Sequence, residues 1–217
     1  MTRTLLMVAL VACSCGYTSP GGGTQTLFVT ARLSSDGSTA GSSARVTVRQ
    51  GSSKGDIVRD AEVAIRGGPL GRTIVPFDDN REDYRLDAFT WVDGFRLEVI
   101  RGRDQLDGSI TAPGPTLITD PIAGSTYRRG DGPPLMIRWK DANGQPADST
   151  QLRLDKAKID RALAPGVYQV SIEPSELVVS DKENVRVERS SQVSLAGGVS
   201  GSTLSASTRH DIEFRVE

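Results

Sequence analysis

Thr26-Leu27-Phe28-Val29-Thr30-Ala31-Arg32-Leu33 is the stretch that decides the fold. Leu27, Val29, Ala31 and Leu33 fall on alternate positions, with polar or half-polar residues between them. Successive side chains of a strand point to opposite faces, so this period of two describes a strand with one dry face and one wet face. The same alternation returns at Arg45–Gln50, Glu62–Arg66, Arg72–Val75, Tyr84–Val92 and Phe95–Arg101. Between the last two, Asp93-Gly94 predicts a tight hairpin, because glycine accepts the positive φ of a two-residue turn.

Ala112-Pro113-Gly114-Pro115 interrupts the pattern, and its two prolines lack backbone donors. Beyond it the expected strands are Thr116–Thr119, Leu135–Lys140, Thr150–Leu154, Val167–Ile172, Asn184–Ser190, Gln192–Leu195 and His210–Val216. Asp141-Ala142-Asn143-Gly144 predicts a second hairpin turn, and only Lys156–Leu163 has a spacing that suits a helical turn. The expected fold is therefore all-β, with two tandem antiparallel β-sandwich domains at 25–112 and 116–217.

Upstream of residue 25 the reading changes. Residues 14–24 are rich in Gly, Ser and Thr and read as a flexible tether. Residues 1–12 carry Arg3 and then about nine apolar residues, far short of the ~20 that span a bilayer, so they read as an export signal. That run ends in Leu10-Val11-Ala12-Cys13, which resembles the lipobox of bacterial lipoproteins. The resemblance implies cleavage before Cys13, acylation of Cys13 and a membrane anchor. Ser14 in the following position is similar to an outer-membrane address, which implies a cell-envelope location. Cys13 and Cys15 are the only cysteines, so the folded part is expected to hold no disulfide. Residues 13–24 are thus a lipidated cysteine plus tether.

Two further resemblances lie in the folded part. Asp60-Ala61-Glu62-Val63-Ala64-Ile65, Tyr84-Arg85-Leu86 and Phe95-Arg96-Leu97-Glu98-Val99 resemble a transthyretin-like or carboxypeptidase-regulatory-like sandwich. Ile118–Ile122, Gly130-Asp131, Leu135–Trp139 and Leu163–Val170 resemble a bacterial Ig-like module. Sandwiches of this kind carry many unrelated functions, so neither resemblance assigns one.

Among its 217 residues the chain has 26 Lys+Arg, 27 Asp+Glu and one His. Without residues 1–12 the balance is 25 basic against 27 acidic, which argues against a nucleic-acid partner. Catalytic chemistry is poorly supplied. His210 is the single histidine, in Ser207-Thr208-Arg209-His210-Asp211, and reads as an edge residue before it reads as part of a Ser–His–Asp site. A zinc site lacks ligands, and no glycine-rich phosphate loop precedes a helix. Asp78-Asp79-Asn80-Arg81-Glu82-Asp83 is the densest acidic run, and Asp78, Asp79 and Asp83 are the calcium candidates. Arg81 sits among them, so a solvated loop is the plainer reading. Arg129-Gly130-Asp131 spells an integrin-binding tripeptide but also suits an ordinary turn. Trp91 and Trp139 fall in strand runs and read as core residues that need an indole partner.

The sequence thus leads to a non-catalytic, lipid-anchored envelope protein, without cofactor, that presents its sandwiches to a protein or polysaccharide partner. The alternative is a periplasm-facing structural subunit of an envelope assembly.

Overall fold

The structure, a computed structural model, describes residues 25–38, 40–130 and 132–217. The leader, Cys13, Ser14, Cys15, the tether to residue 24 and Asp131 lie outside the described residues. The described chain is all-β. In order, the strands are β1 (Leu27–Ser35), β2 (Ser43–Gln50), β3 (Glu62–Arg66), β4 (Arg72–Ile74), β5 (Phe77–Asp78), β6 (Asp83–Asp87), β7 (Gly94–Arg101) and β8 (Asp104–Thr111). They continue with β9 (Thr116–Asp120), β10 (Thr126–Tyr127), β11 (Leu135–Asp141), β12 (Ser149–Leu154), β13 (Ile159–Leu163), β14 (Gln169–Ile172), β15 (Ser180–Ser194) and β16 (Thr203–Val216).

One nine-stranded sheet runs β13-β12-β15-β16-β1-β2-β6-β5, with β10 paired to β16. Two smaller sheets, β4-β3-β7-β8 and β14-β11-β9, complete the molecule. β16 shows how they are arranged. Leu204, Ala206, Thr208, Ile212, Phe214 and Val216 are buried at alternate positions, so one face of this long strand serves both small sheets. Leu204 and Ala206 belong to a first apolar cluster with Leu27, Val29, Leu33, Val63, Leu97 and Leu106. Ile212, Phe214 and Val216 belong to a second, with Ile137, Trp139, Leu152, Leu154 and Val187. β15 divides likewise, Val193 packing against the first cluster and Val185 and Val187 lying in the second. The β15–β16 hairpin therefore contributes to the clusters on both sides of Ala112–Pro115.

Between the clusters the buried side chains are polar. The Thr208 hydroxyl donates to Gly114 O at 3.0 Å and lies 3.0 Å from the Thr116 hydroxyl. Arg189, 2% exposed, faces the Asp141 carboxylate at 3.2 Å and donates through Nη2 to Gln145 O at 2.9 Å. The Tyr168 hydroxyl donates to the same carboxylate at 2.8 Å, and that donation, aided by burial, holds the phenol above its usual range.

Five local expectations are corrected. Asp93-Gly94 does not join a hairpin: the strand before it stops at Asp87, where Ala88 turns to φ 58°, and β7 pairs instead with β3 and β8. Asp141–Gly144 is likewise no hairpin, because β11 pairs with β14 and β9 while the chain crosses to the large sheet. Lys156–Leu163 forms no helical turn. Residues 155–158 are the β12–β13 turn, whose Lys156 and Ala157 N–H groups donate to the buried Glu183 carboxylate at 2.8 and 2.9 Å. The two strands expected at 184–190 and 192–195 are one, β15, and the final strand begins seven residues before His210, at Thr203.

Candidate binding surface

The wet face of the nine-stranded sheet carries two adjacent rows that only strand pairing brings together. In the first, Ser149, Ser190, Ser207, Ser34 and Ser43 stand opposite one another across β12, β15, β16, β1 and β2, and Asp87 on β6 ends the row. Five serines on strands about 4.8 Å apart make a low floor roughly 19 Å long. In the second row, Gln192, Ser205, Arg32, Arg45 and Arg85 stand opposite one another, so three arginines are direct neighbours on β1, β2 and β6. Short serines beside long arginines leave a depression of about 460 Å³, lined among others by Arg32, Arg45, Ser34, Ser43, Ser207 and Arg209. Asp36 and Glu188 also line it. Asp36 stays ionised below its usual range because the Ser38 hydroxyl and backbone N–H both donate to it.

Like charges directly opposite each other on a sheet are unfavourable, by a few tenths of a kcal/mol to about 1. The molecule contains a second such row, Arg72, Arg66 and Arg96 on β4, β3 and β7. There each cation has an acid. Glu98 accepts from Arg66 at 3.0 Å and from Arg72 at 3.2 Å and lies 3.8 Å from Arg96; Arg72 also bonds Glu62, and Arg96 meets Asp107 at 3.0 Å. Burial works to raise the Glu98 carboxyl, but the Arg66 and Arg72 hydrogen bonds outweigh it and hold it below its usual range. The row on the large sheet differs. Arg85 alone of its three cations has an acid among the described residues, Asp83 at 3.4 Å. Arg32 and Arg45 make no ion pair or side-chain hydrogen bond among the described residues.

The residues singled out in the sequence are not brought together here. His210 sits at the seam between the clusters, where its Nδ1 accepts the Ile118 N–H at 3.3 Å. Asp79 and Glu82 both meet Arg59, Asp78 lies 3.9 Å from Arg81, and Asp83 is taken by Arg85. Asp78, Asp79 and Asp83 are thus each turned to a guanidinium, and among the described residues no group of three or more acidic, His or Cys side chains is placed to share an ion. The Arg129 guanidinium donates to Pro174 O at 3.1 Å. Trp91 lies in the loop after β6, not in a strand; it packs against Phe89 and Phe95 and donates to Pro113 O at 3.0 Å. Trp139 is core, but its buried indole N–H has no partner among the described residues.

Among the described residues no helix is long and apolar enough to cross a membrane. The chain matches no family model and no curated protein.

Proposed function

We propose that this chain is a non-catalytic envelope protein, exported, anchored through acylated Cys13, and working by binding a protein or polysaccharide partner on the wet face of its large sheet. The observation that carries the binding reading is the pair Arg32 and Arg45, held opposite each other with no acid between them. A surface that keeps unneutralised guanidinium groups beside a hydroxyl floor is poised to exchange water for an anionic, hydroxyl-bearing surface. The non-catalytic part is supported by His210, whose Nδ1 is already spent on a backbone N–H, and by carboxylates that are consumed in arginine pairs. The anchor rests on Leu10-Val11-Ala12-Cys13 and on the acyl chains' contribution of about 0.8 kcal/mol per buried CH₂. The transthyretin-like and Ig-like resemblances belong to the same reading, as scaffolds that carry a surface rather than a catalytic pocket.

Two measurements test it. Cells expressing the full chain and its Cys13→Ala variant are labelled with a radioactive fatty acid and fractionated. Label and membrane association should both be lost in the variant, and a membrane-bound, unlabelled variant overturns the anchor. A photo-reactive residue at position 192, beside the serine floor, should form discrete adducts in intact cells, whereas one at position 62 on the small sheet should not. Adducts at neither position, or equally at both, overturn the binding reading.

A further inference from the structure

Resting on that binding reading, we infer that the trench over Ser207, Ser34 and Ser43, from which the serine row continues to Ser190 and Ser149, holds a segment of a carboxylated polysaccharide, with its carboxylates on Arg32 and Arg45. Four features select this class. The floor is made of hydroxyls, which both donate and accept, and two of its contacts are already Ser–Ser hydrogen bonds, Ser149 to Ser190 at 2.8 Å and Ser34 to Ser43 at 2.9 Å. Such a floor matches a ligand whose own surface is hydroxyl-rich. No large apolar side chain lines the depression, so a peptide finds no pocket for an anchoring side chain. The strands beneath are interior to the sheet, their backbone groups taken up by neighbours on both sides, which closes the route of adding a peptide strand.

The fourth feature is charge. Three arginines and two acids line the depression, a formal excess of one positive charge. That suits singly charged carboxylates spaced along a chain better than dense sulfates, which would meet Asp36 and Glu188 as well as the arginines. A guanidinium also matches a carboxylate in a two-point, planar fashion, and among the described residues nothing takes up the side-chain donors of Arg32 and Arg45. The long axis of the floor crosses five strands. A polymer lying along it reaches the arginines at one end and the Ser149–Ser190 pair at the other.

The test is a binding titration of the purified full chain, in detergent, with polygalacturonate. Dextran serves as the neutral probe, dextran sulfate as the sulfated one and poly-L-glutamate as the acidic peptide. Polygalacturonate should bind and dextran should not, with affinity falling as salt rises. Arg32→Ala and Arg45→Ala should each weaken binding about tenfold, the effect of removing one charge-assisted contact. Arg66→Ala, which removes a guanidinium already paired to Glu98, should leave it unchanged. Ser34→Tyr keeps both arginines but fills the floor, and should abolish polygalacturonate binding.

Equal affinity for poly-L-glutamate, or unchanged binding by Ser34→Tyr, makes the surface a general anion attractor and overturns the polysaccharide assignment. Preference for dextran sulfate overturns the carboxylate. If no probe binds while position 192 still forms adducts in cells, the ligand class is wrong and the binding surface stands. If no probe binds and no adduct forms, both readings fail.

Discussion

Arg189 is the residue whose environment departs furthest from ordinary expectation. It alternates with Val185 and Val187 on β15, points into the molecule and is almost fully buried between the two apolar clusters. Its charge is met by Asp141, whose side chain is 6% exposed, and its plane lies over the Tyr168 ring with 5.5 Å to the centroid. Breaking a buried pair by deleting one partner strands the other charge, at a cost of about 3–5 kcal/mol. Arg189→Ala should therefore lower stability in urea unfolding by that order. Arg189→Met combined with Asp141→Leu, which strands no charge, should recover most of it. A single variant within about 0.5 kcal/mol of the parent would show the pair to be solvated. At this scale the sequence was informative wherever a residue's role followed from its own strand. Leu27, Val29, Ala31 and Leu33 are all fully buried, as their alternation required. It was mute on Arg32, Arg45 and Arg85, because their adjacency is created by the pairing of β1 with β2 and β2 with β6, and no local spacing records a register.

Among the elements, the β15–β16 hairpin does most to organise the chain, and its turn is built from glycine. Gly197 and Gly201 have φ of 80° and 89°, and Val199 N–H donates to Leu27 O at 2.8 Å, pinning the turn to the start of β1. The buried Ser202 hydroxyl accepts from Val29 N–H at 3.1 Å and fixes the same junction. An L side chain at Gly201 would take a left-handed backbone and place its Cβ 3.4 Å from Phe28 Cε2. Gly201→Ala should cost about 1–2 kcal/mol, seen as a lower urea midpoint with unchanged slope. A neutral result would mean that the turn readily adopts another conformation. The turns are also where sequence reading failed, for a physical reason. Asp93-Gly94 and Asp141–Gly144 both have turn chemistry, but such chemistry reports that the chain changes direction and not which sheet it then joins. Lys156–Leu163 has helical spacing, yet Glu183, distant in sequence, accepts the turn's N–H groups and stabilises a hairpin instead.

On the scale of the whole molecule, the consequence of a shared hairpin is cooperativity. The two apolar clusters would melt separately if each were enclosed by its own strands. Here β15 and β16 run through both, and β1 is hydrogen-bonded along β16, so unfolding either cluster frays strands on which the other depends. The chain supplies a probe for each: Trp91 packs against the first cluster and Trp139 lies within the second. Trp139→Phe leaves Trp91 as the single reporter, and Ile137→Ala can then be added in the second cluster, where Ile137 is fully buried. That cavity should cost about 2–4 kcal/mol. If the hairpin couples the halves, Trp91 fluorescence should report the full loss in a single transition, although Ile137 belongs to the other cluster. If the halves are independent, the Trp91 midpoint will not move, and the hairpin will be a loose strap between two sandwiches. Coupling also bears on the arginine surface: Arg32 lies on β1 and Arg209 on β16, so the trench keeps its shape only while the large sheet stays whole. A second-cluster mutation that unfolds the sheet should therefore abolish binding at the trench at the same urea concentration at which Trp91 reports unfolding.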